Sequence, residues 1–490
     1  MAIEKQKNNY THILKYTFLF GGVEGFVMLV GLIRNKLVAV ILGPEGMGLM
    51  SLFNSTARLM SNSTNFGLGT STVRNLSDSY ERADDGEIGH LIAVIRSWSL
   101  FTSLFGMLLC VVLSPVLDKW VFGGGRTLHL VFLSVIVAMT AITGGELAIL
   151  KATRRLSALA KISVYQVIGS LLISIPLYYI WKAAAILPSL IIIACIQMLL
   201  TIGYSHRSYP LRFSLNRVLL SDGFSMIRLG SAFMLAAILG SGAELAIRSY
   251  LNGAASVETV GLYNAGYMLT MTYAGMVFSA METDYFPRLS AVRQIGKPLS
   301  EVVNKQIEVS LLLISPMLVF FLISVPLLLP LLYSHRFLPL QGMVQVVVFA
   351  MYFRAVSLPI AYIPLAKGNA KLYLFFESFY DILLVVLAIL GYNRFELLGT
   401  GLAITFTTVM HLCLSCYYMN RVYRYWLSRQ VIQYMGLQLF VGLMAYAATF
   451  VLHGWQYWVV GLLLSVTSLL ISIRILRKKT GLWKRLMRKR

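Results

Sequence analysis

The chain is predicted to be an all-α, polytopic integral membrane protein with about fourteen spans and both termini cytoplasmic. Two six-helix lobes would surround a central cavity, with two further helices after them. Three observations lead there. Of 490 residues, 58% are hydrophobic and only 13% charged, which excludes an ordinary soluble domain and a disordered chain. Apolar runs long enough to cross about 30 Å of hydrocarbon recur along the whole length. Lysine and arginine gather in alternate connections between those runs, so the net charge of +22 is a topology signal and not a nucleic-acid footprint.

Taken in order, the first six spans fall at 13–42, 47–73, 90–117, 127–150, 156–181 and 184–204. The next six fall at 227–252, 258–285, 303–333, 339–366, 370–393 and 397–420, and the last two at 432–453 and 457–475. The second and eighth are the least hydrophobic, so a hydropathy window can miss either. The first lacks a small-residue cleavage site after a short apolar core, which reads as a retained span. The grouping is an N-lobe at 1–205, a cytoplasmic linker at 206–226, a C-lobe at 227–424, two added spans at 425–476 and a basic tail at 477–490. Within the linker, LRFSLNRVLLSDGF has the pattern of a segment lying flat on the cytoplasmic leaflet.

The orientation comes from the basic residues. Lys151, Arg154, Arg155 and Lys161, then Arg207, Arg212, Arg217 and Arg228, then Arg288, Arg293, Lys297 and Lys305 mark successive even-to-odd connections. Lys367 with Lys371, and Arg421, Arg424 and Arg429, continue the series. The other side carries only Lys119, Arg126, Lys182, Arg336 and Arg394, the asymmetry of a protein with both ends inside. Trp120, Trp181, Trp455 and Trp458 sit near span ends, where interfacial aromatics belong.

An internal repeat accompanies the two-lobe division. Ile33, Arg34, Leu37, Gly48 and Leu49 are echoed by Ile247, Arg248, Leu251, Gly261 and Leu262 at the same point of spans one and seven. Parallel repeats of this kind place a substrate path between the halves.

The second span is the least suited to lipid. It carries Asn54, Ser55, Thr56, Arg58, Ser61, Asn62, Ser63, Thr64 and Asn65. Asn54, Arg58, Ser61, Asn62 and Asn65 share one helical face, which must meet protein or a water-filled cavity because polar groups in hydrocarbon cost several kcal/mol. Other ionisable groups inside spans are Glu24, Arg34, Lys36, Arg96, Glu244, Arg248, Arg354, Glu377 and Asp381. Arg58 and Arg354 lie near mid-span and read as cavity-lining. Arg34, Lys36 and Arg248 read either as functional or as snorkelling from outer span ends, and Arg96 reads as an inner anchoring charge. Glu244 and Arg248, one turn apart, either neutralise one another or serve the site. Glu377 and Asp381 are also one turn apart: either one of them holds a proton, a property useful for ion or proton coupling, or Glu377 forms an ordinary ion pair beside Lys367 and Lys371. His411 reads as a packed core histidine.

No enzyme or cofactor signature is present. A GxxxxGK[ST] loop and an HExxH motif are both missing, and Cys413 and Cys416 form a lone CxxC without a second ligand pair. Cys110, Cys195, Cys413 and Cys416 lie in apolar runs and read as small hydrophobes, not as a disulfide framework. Catalytic and metal-ligating residues are expected to be none, nucleic acid is not expected as a partner, and the chain is expected not to be an enzyme.

RNKLVAVILGPEGMGLMSLFN at 34–54 resembles the first-hairpin signature of bacterial polysaccharide flippases, the O-antigen and enterobacterial common antigen translocases of the multidrug/oligosaccharidyl-lipid/polysaccharide superfamily. GLYNAGYMLTMTYAGMVFSAMETDYFPRLS at 261–290 and LAKGNAKLYLFFES at 365–378 extend the likeness, while spans thirteen and fourteen resemble the lipid II flippase branch. The resemblance implies two lobes around a cationic cavity that opens alternately to each side. It also implies an oligosaccharide carried on undecaprenyl pyrophosphate, moved from the cytoplasmic to the periplasmic leaflet of a bacterial inner membrane. On that reading Arg34, Arg58, Arg248 and Arg354 grip the pyrophosphate, and Asn54, Asn62 and Asn65 contact sugar. Glu24, Glu244, Glu377 and Asp381 are the candidates for coupling to sodium ions or protons. Membrane lipids, a polysaccharide polymerase and a chain-length regulator are the expected partners for O-antigen, lipopolysaccharide or capsular assembly. The rival readings are a drug/cation antiporter of the same superfamily and, from another class, a membrane-embedded polysaccharide polymerase or ligase.

Overall fold

The computed structural model describes residues 2–82, 85–210 and 217–480, and they are helical almost throughout. In chain order the helices are α1 Ala2–Thr64, α2 Leu68–Glu81, α3 Asp85–Leu117, α4 Thr127–Ala152, α5 Leu156–Trp181, α6 Ile186–Ser208 and α7 Arg217–Ala254. They continue with α8 Val257–Tyr267, α9 Ala274–Ala291, α10 Lys297–Leu332, α11 Gln341–Ala366, α12 Ala370–Tyr423, α13 Arg429–Val451 and α14 Gly454–Thr480.

Ten stretches among the described residues are long and apolar enough to cross a membrane. Three of them, at 43, 53 and 54 residues, far exceed the ~20 residues one crossing needs, and each is broken within. In α1 the break is Gly43, at φ 67° and ψ −172°, followed by Pro44. Two contacts with α5 show that the chain turns back there. Arg34 Nε donates to Ser174 Oγ at 3.1 Å, and the Tyr178 hydroxyl meets Met50 Sδ at 3.9 Å. Residues sixteen apart on α1 thus meet residues one turn apart on α5. In α12 the break is Phe395 and Glu396, the latter at φ 51°. Its arms pack so closely that a Cβ on Gly399 would lie 1.8 Å from the Gly391 carbonyl oxygen. The third stretch, Leu156–Ser208, reverses between α5 and α6 at Lys182–Ala185.

The fourteen predicted spans all have helical counterparts, with two corrections. The second span does not run to residue 73: it ends at Thr64, and Phe66 (φ 49°) and Gly67 (φ 68°) turn the chain into the separate helix α2. The eighth is not one regular helix, because a π-helical turn at Met268–Tyr273 separates α8 from α9, and neither piece alone is long and apolar enough to cross. Residues 211–216 of the predicted flat linker segment lie outside the described residues, and Arg217 onward is already part of α7. Residues 481–490 of the basic tail are likewise outside them.

The chain folds into two compact units. Unit 1 comprises Met1–Gly261 with Leu332–Ser334. Its core near α2, α3 and α4 is built from Leu76, Ile92, Ile95, Trp98 and Ile149. Close approach of α3 and α4 depends on Gly145, where a Cβ would lie 1.9 Å from Ser99 Oγ. Between α3 and α4 the chain turns through Gly123, Gly124 and Gly125, all at positive φ, a conformation glycine adopts without steric cost. Asp118 closes that turn, accepting from the Arg126 N–H at 2.9 Å and the Thr127 hydroxyl at 2.7 Å.

Unit 2 comprises Leu262–Leu331 with His335–Arg490. Its core gathers Tyr285, Leu289, Val303, Ile307, Ile360, Phe376, Met419 and Val431. The last two helices are joined by polar contacts: Gln438 Nε2 donates to Ser472 Oγ at 2.9 Å and the Ser468 hydroxyl donates to Gln438 Oε1 at 2.6 Å. Such bonds join helices where apolar burial supplies no driving force. Lys479 pairs with Glu308, tying α14 to α10. Trp120, Trp181, Trp455 and Trp458 are all exposed, near helix ends.

Candidate functional site

The polar face predicted for the second span exists. Asn54 and Arg58 are exposed and Ser61, Asn62 and Asn65 half-buried, whereas Ser55, Thr56 and Thr64 are buried. The buried hydroxyls turn inward and donate to carbonyls of their own helix, so they need no outside partner: Ser55 to Ser51 at 2.7 Å, Thr56 to Leu52 at 2.8 Å and Thr64 to Met60 at 2.9 Å.

Two arginines and one carboxylate meet on this face. Glu244 Oε2 lies 3.0 Å from Arg58 Nη1 and 3.3 Å from Arg248 Nη1. Arg248 is buried and held by its Nε donating to Ser51 Oγ at 2.8 Å, while the Arg58 side chain is 59% exposed and Glu244 25%. This group sets two guanidinia around one carboxylate, beside a row of amides. Asn62 stands on the same side, its Nδ2 donating to the Ala237 carbonyl at 3.2 Å. Glu244 and Arg248 are thus paired, as one alternative had it, but the pair is shared with an arginine of another helix. Ser51, which orients Arg248, carried no signal beyond being one more serine in a span.

The remaining sequence candidates separate. Arg34 bonds Ser174 on α5 and does not join the Arg58 group, and Lys36 donates to the Tyr333 carbonyl. Glu24 is exposed and makes no ion pair with another described residue. Arg354 lies in unit 2, where a cavity of about 100 Å³ is lined by Arg354, Ser357, Glu377, Tyr380, Thr408 and His411. Glu377 faces Arg354 there, and not Lys367, whose Nζ donates to the Val292 carbonyl. Asp381 is half-buried and outside the lining. His411 is buried against the rings of Phe376 and Tyr380, but it also faces the cavity.

Arg96 is more than an inner anchor. Its guanidinium meets Glu146 through Nε at 2.8 Å and Nη2 at 3.3 Å, and donates to the carbonyls of Tyr209 at 3.0 Å and Pro210 at 3.2 Å. Ser205 and His206 also reach Glu146. The side chains of Arg96 and Glu146 are 9% and 6% exposed. This group ties α3, α4 and the end of α6 together. Sequence reasoning missed Glu146, a lone carboxylate in an apolar run. Among the described residues no three His, Cys, Asp or Glu side chains are placed to hold a metal ion, and all four cysteines are free.

A family model described as polysaccharide biosynthesis protein matches residues 37–341. No curated protein matches the chain. Among solved structures the fold is similar to that of the lipid II flippase MurJ in an inward closed conformation, at 13% identity and a TM-score of 0.74, over 94% of this chain and 99% of that one. It is also similar to an inward-facing multidrug resistance transporter of the MATE family, at 16% identity and a TM-score of 0.62, over 80% and 93%. A MOP superfamily transporter from Pyrococcus furiosus matches at 14% identity and a TM-score of 0.58, over 82% and 94%. Identities this low speak for the fold, whereas the family model spans more than half of the sequence. The chain therefore belongs to the polysaccharide biosynthesis protein family, with a multi-pass helical fold similar to that of these solved structures.

Proposed function

We propose that the protein flips an undecaprenyl-pyrophosphate-linked oligosaccharide, an O-antigen or capsular repeat unit, across the bacterial inner membrane by alternating access. The observation that carries this reading is the Arg58–Glu244–Arg248 group on an open polar face. A diphosphate brings about two negative charges into the membrane, and paired guanidinia supply planar, multi-donor hydrogen bonds to phosphate oxygens. Asn54, Asn62 and Asn65 lie along the same face, where amides suit sugar hydroxyls. The lipid tail has no need to enter and stays in the bilayer.

Glu244 competes with the diphosphate for both arginines, so loading requires that its negative charge be displaced or neutralised by a proton or sodium ion. That gives coupling a place in the same site. A membrane potential supplies about 2.3 kcal/mol per charge per 100 mV for the uphill part. A polymerase and a chain-length regulator would take the delivered unit on the outer side.

Cells lacking the protein are expected to lose surface polysaccharide and to accumulate the lipid-linked unit on the cytoplasmic leaflet. If such cells keep their polysaccharide and become sensitive only to cationic drugs, the antiporter reading replaces this one.

A further inference from the structure

The cavity of unit 2 lies between α11 and the two arms of α12, and its lining holds more hydrogen-bonding capacity than the protein uses. Ser357 and His411 are 3% and 8% exposed, and neither has a hydrogen-bond partner among the described residues. The Arg354 guanidinium has several donors, yet its one hydrogen bond among described residues is from Nη1 to Met271 Sδ at 3.2 Å, a weak acceptor. Glu377 faces that guanidinium without a hydrogen bond of its own to a described residue. Buried polar groups are ordinarily satisfied, and those that are not mark a place for a ligand or water. The aromatic neighbours fix the imidazole: Tyr380 and Phe376 meet the His411 ring edge to face at 5.6 and 5.9 Å.

The composition of the lining selects the ligand. A metal cation would be set against Arg354, and a phosphate or other anion against Glu377. A neutral polyhydroxyl group meets neither penalty, since each hydroxyl both donates and accepts. It can give a proton to Glu377, take one from Arg354, and do both with Ser357 and His411. The Tyr380 and Thr408 side chains bond each other, and Thr408 donates to the Ile404 carbonyl at 2.8 Å, so these two offer it their remaining lone pairs. A cavity of about 100 Å³ holds roughly three waters' worth of liquid, which suits the hydroxyl edge of one hexose.

We propose that this cavity is a sugar-binding site for one neutral sugar residue, held between Arg354 and Glu377. Ser357, Tyr380, Thr408 and His411 read the configuration of its hydroxyls. The identification of that sugar with a residue of the transported oligosaccharide rests on the function proposed above; the match between lining and ligand does not. The site would give unit 2 a part in selecting the sugar, separate from the charge-based grip of Arg58 and Arg248 in unit 1.

The test is saturation-transfer NMR on the purified full-length protein in lipid nanodiscs. The probes are the oligosaccharide released by acid from the cells' own surface polysaccharide and its component monosaccharides. Transfer to the ring protons of one component is expected in the wild type, with at least a fivefold loss in Tyr380→Phe and in Glu377→Gln. Tyr179→Phe, at an exposed tyrosine on α5, keeps the wild-type signal. Preference for the oligosaccharide assigns the site to the repeat unit, and equal competition by the free monosaccharide assigns it to a free sugar. An absent signal, or equal signals in the wild type and Tyr380→Phe, overturns the proposal. Should Glu377→Gln lower the folded yield, Tyr380→Phe carries the test, since it removes a single oxygen. If deletion of the whole protein leaves surface polysaccharide intact, the carrier reading fails, and monosaccharide binding still decides the cavity.

Discussion

Gly48 and Gly261, matched by the internal repeat, pack backbone against backbone. A Cβ on Gly48 would lie 1.9 Å from the Val257 carbonyl oxygen, and one on Gly261 would lie 1.8 Å from that of Pro44. Each glycine makes room for the other's helix. Among the other echoed residues Leu49 and Leu262 are both buried, whereas Ile33 is exposed and Ile247 buried.

Replacing either glycine by alanine forces the helices apart, because the obstructing atoms are backbone and cannot rotate away. Overpacking of this kind costs about 1–3 kcal/mol or more. Gly48→Ala and Gly261→Ala are each expected to lower the unfolding temperature in detergent. Gly242→Ala, whose new methyl would meet Leu59 at an ordinary 3.8 Å, is expected to leave it unchanged.

Arg58 is the exposed member of the charged group, so its removal is expected to spare insertion and folding. Arg58→Ala should abolish transport at matched expression, and Arg58→Lys should retain part of it, since a lysine keeps the charge but loses the planar multi-donor geometry. Surface polysaccharide in complemented deletion cells is the readout. Normal flipping by the alanine variant would remove Arg58 from the site.

Glu244 is expected to restrain the empty site. Glu244→Gln removes the carboxylate charge that both guanidinia share, so the purified protein should bind inorganic diphosphate about tenfold more tightly, the equivalent of ~1.4 kcal/mol. Calorimetric titration measures this directly. Weaker binding in the variant would make Glu244 a clamp that orients Arg58 and Arg248, not a competitor.

Arg96 and Glu146 form a buried pair, and removal of one partner strands the other in an apolar setting. Such breakage costs about 3–5 kcal/mol, so Arg96→Ala and Glu146→Ala should each reduce folded yield sharply. Arg96→Lys is expected to rescue little, because a single ammonium cannot meet both carboxylate oxygens and the Tyr209 and Pro210 carbonyls together. Fluorescence-detected size exclusion of tagged variants gives the yields.

Much of the helical plan was legible because spans and turns leave local signals. Gly43 and Pro44 mark the first reversal, and the Arg58 face stands out because no other predicted span is so polar. The end of the second span was not legible. The residues after Gly67 continue a mixed pattern that a helix tolerates, whereas Phe66 is held in its positive-φ turn among the rings of Trp98 and Phe105, which lie elsewhere in the chain. Glu146 was invisible for a similar reason: its partner, Arg96, lies fifty residues away.

By itself the sequence determined the membrane class, the helical spans and the cationic polar face. These are local sums of hydropathy, charge and 3.6-residue periodicity, and they hold however the helices later pack. The tertiary structure alone decided which charges meet. It joined Arg58 to Arg248 through Glu244, took Arg34 to Ser174, and set Glu377 opposite Arg354 instead of Lys367. An ion pair needs a few ångströms between atoms from distant segments, and that distance follows from kinks at Gly43 and Glu396 and from glycine contacts between helices. No pattern within one span encodes it.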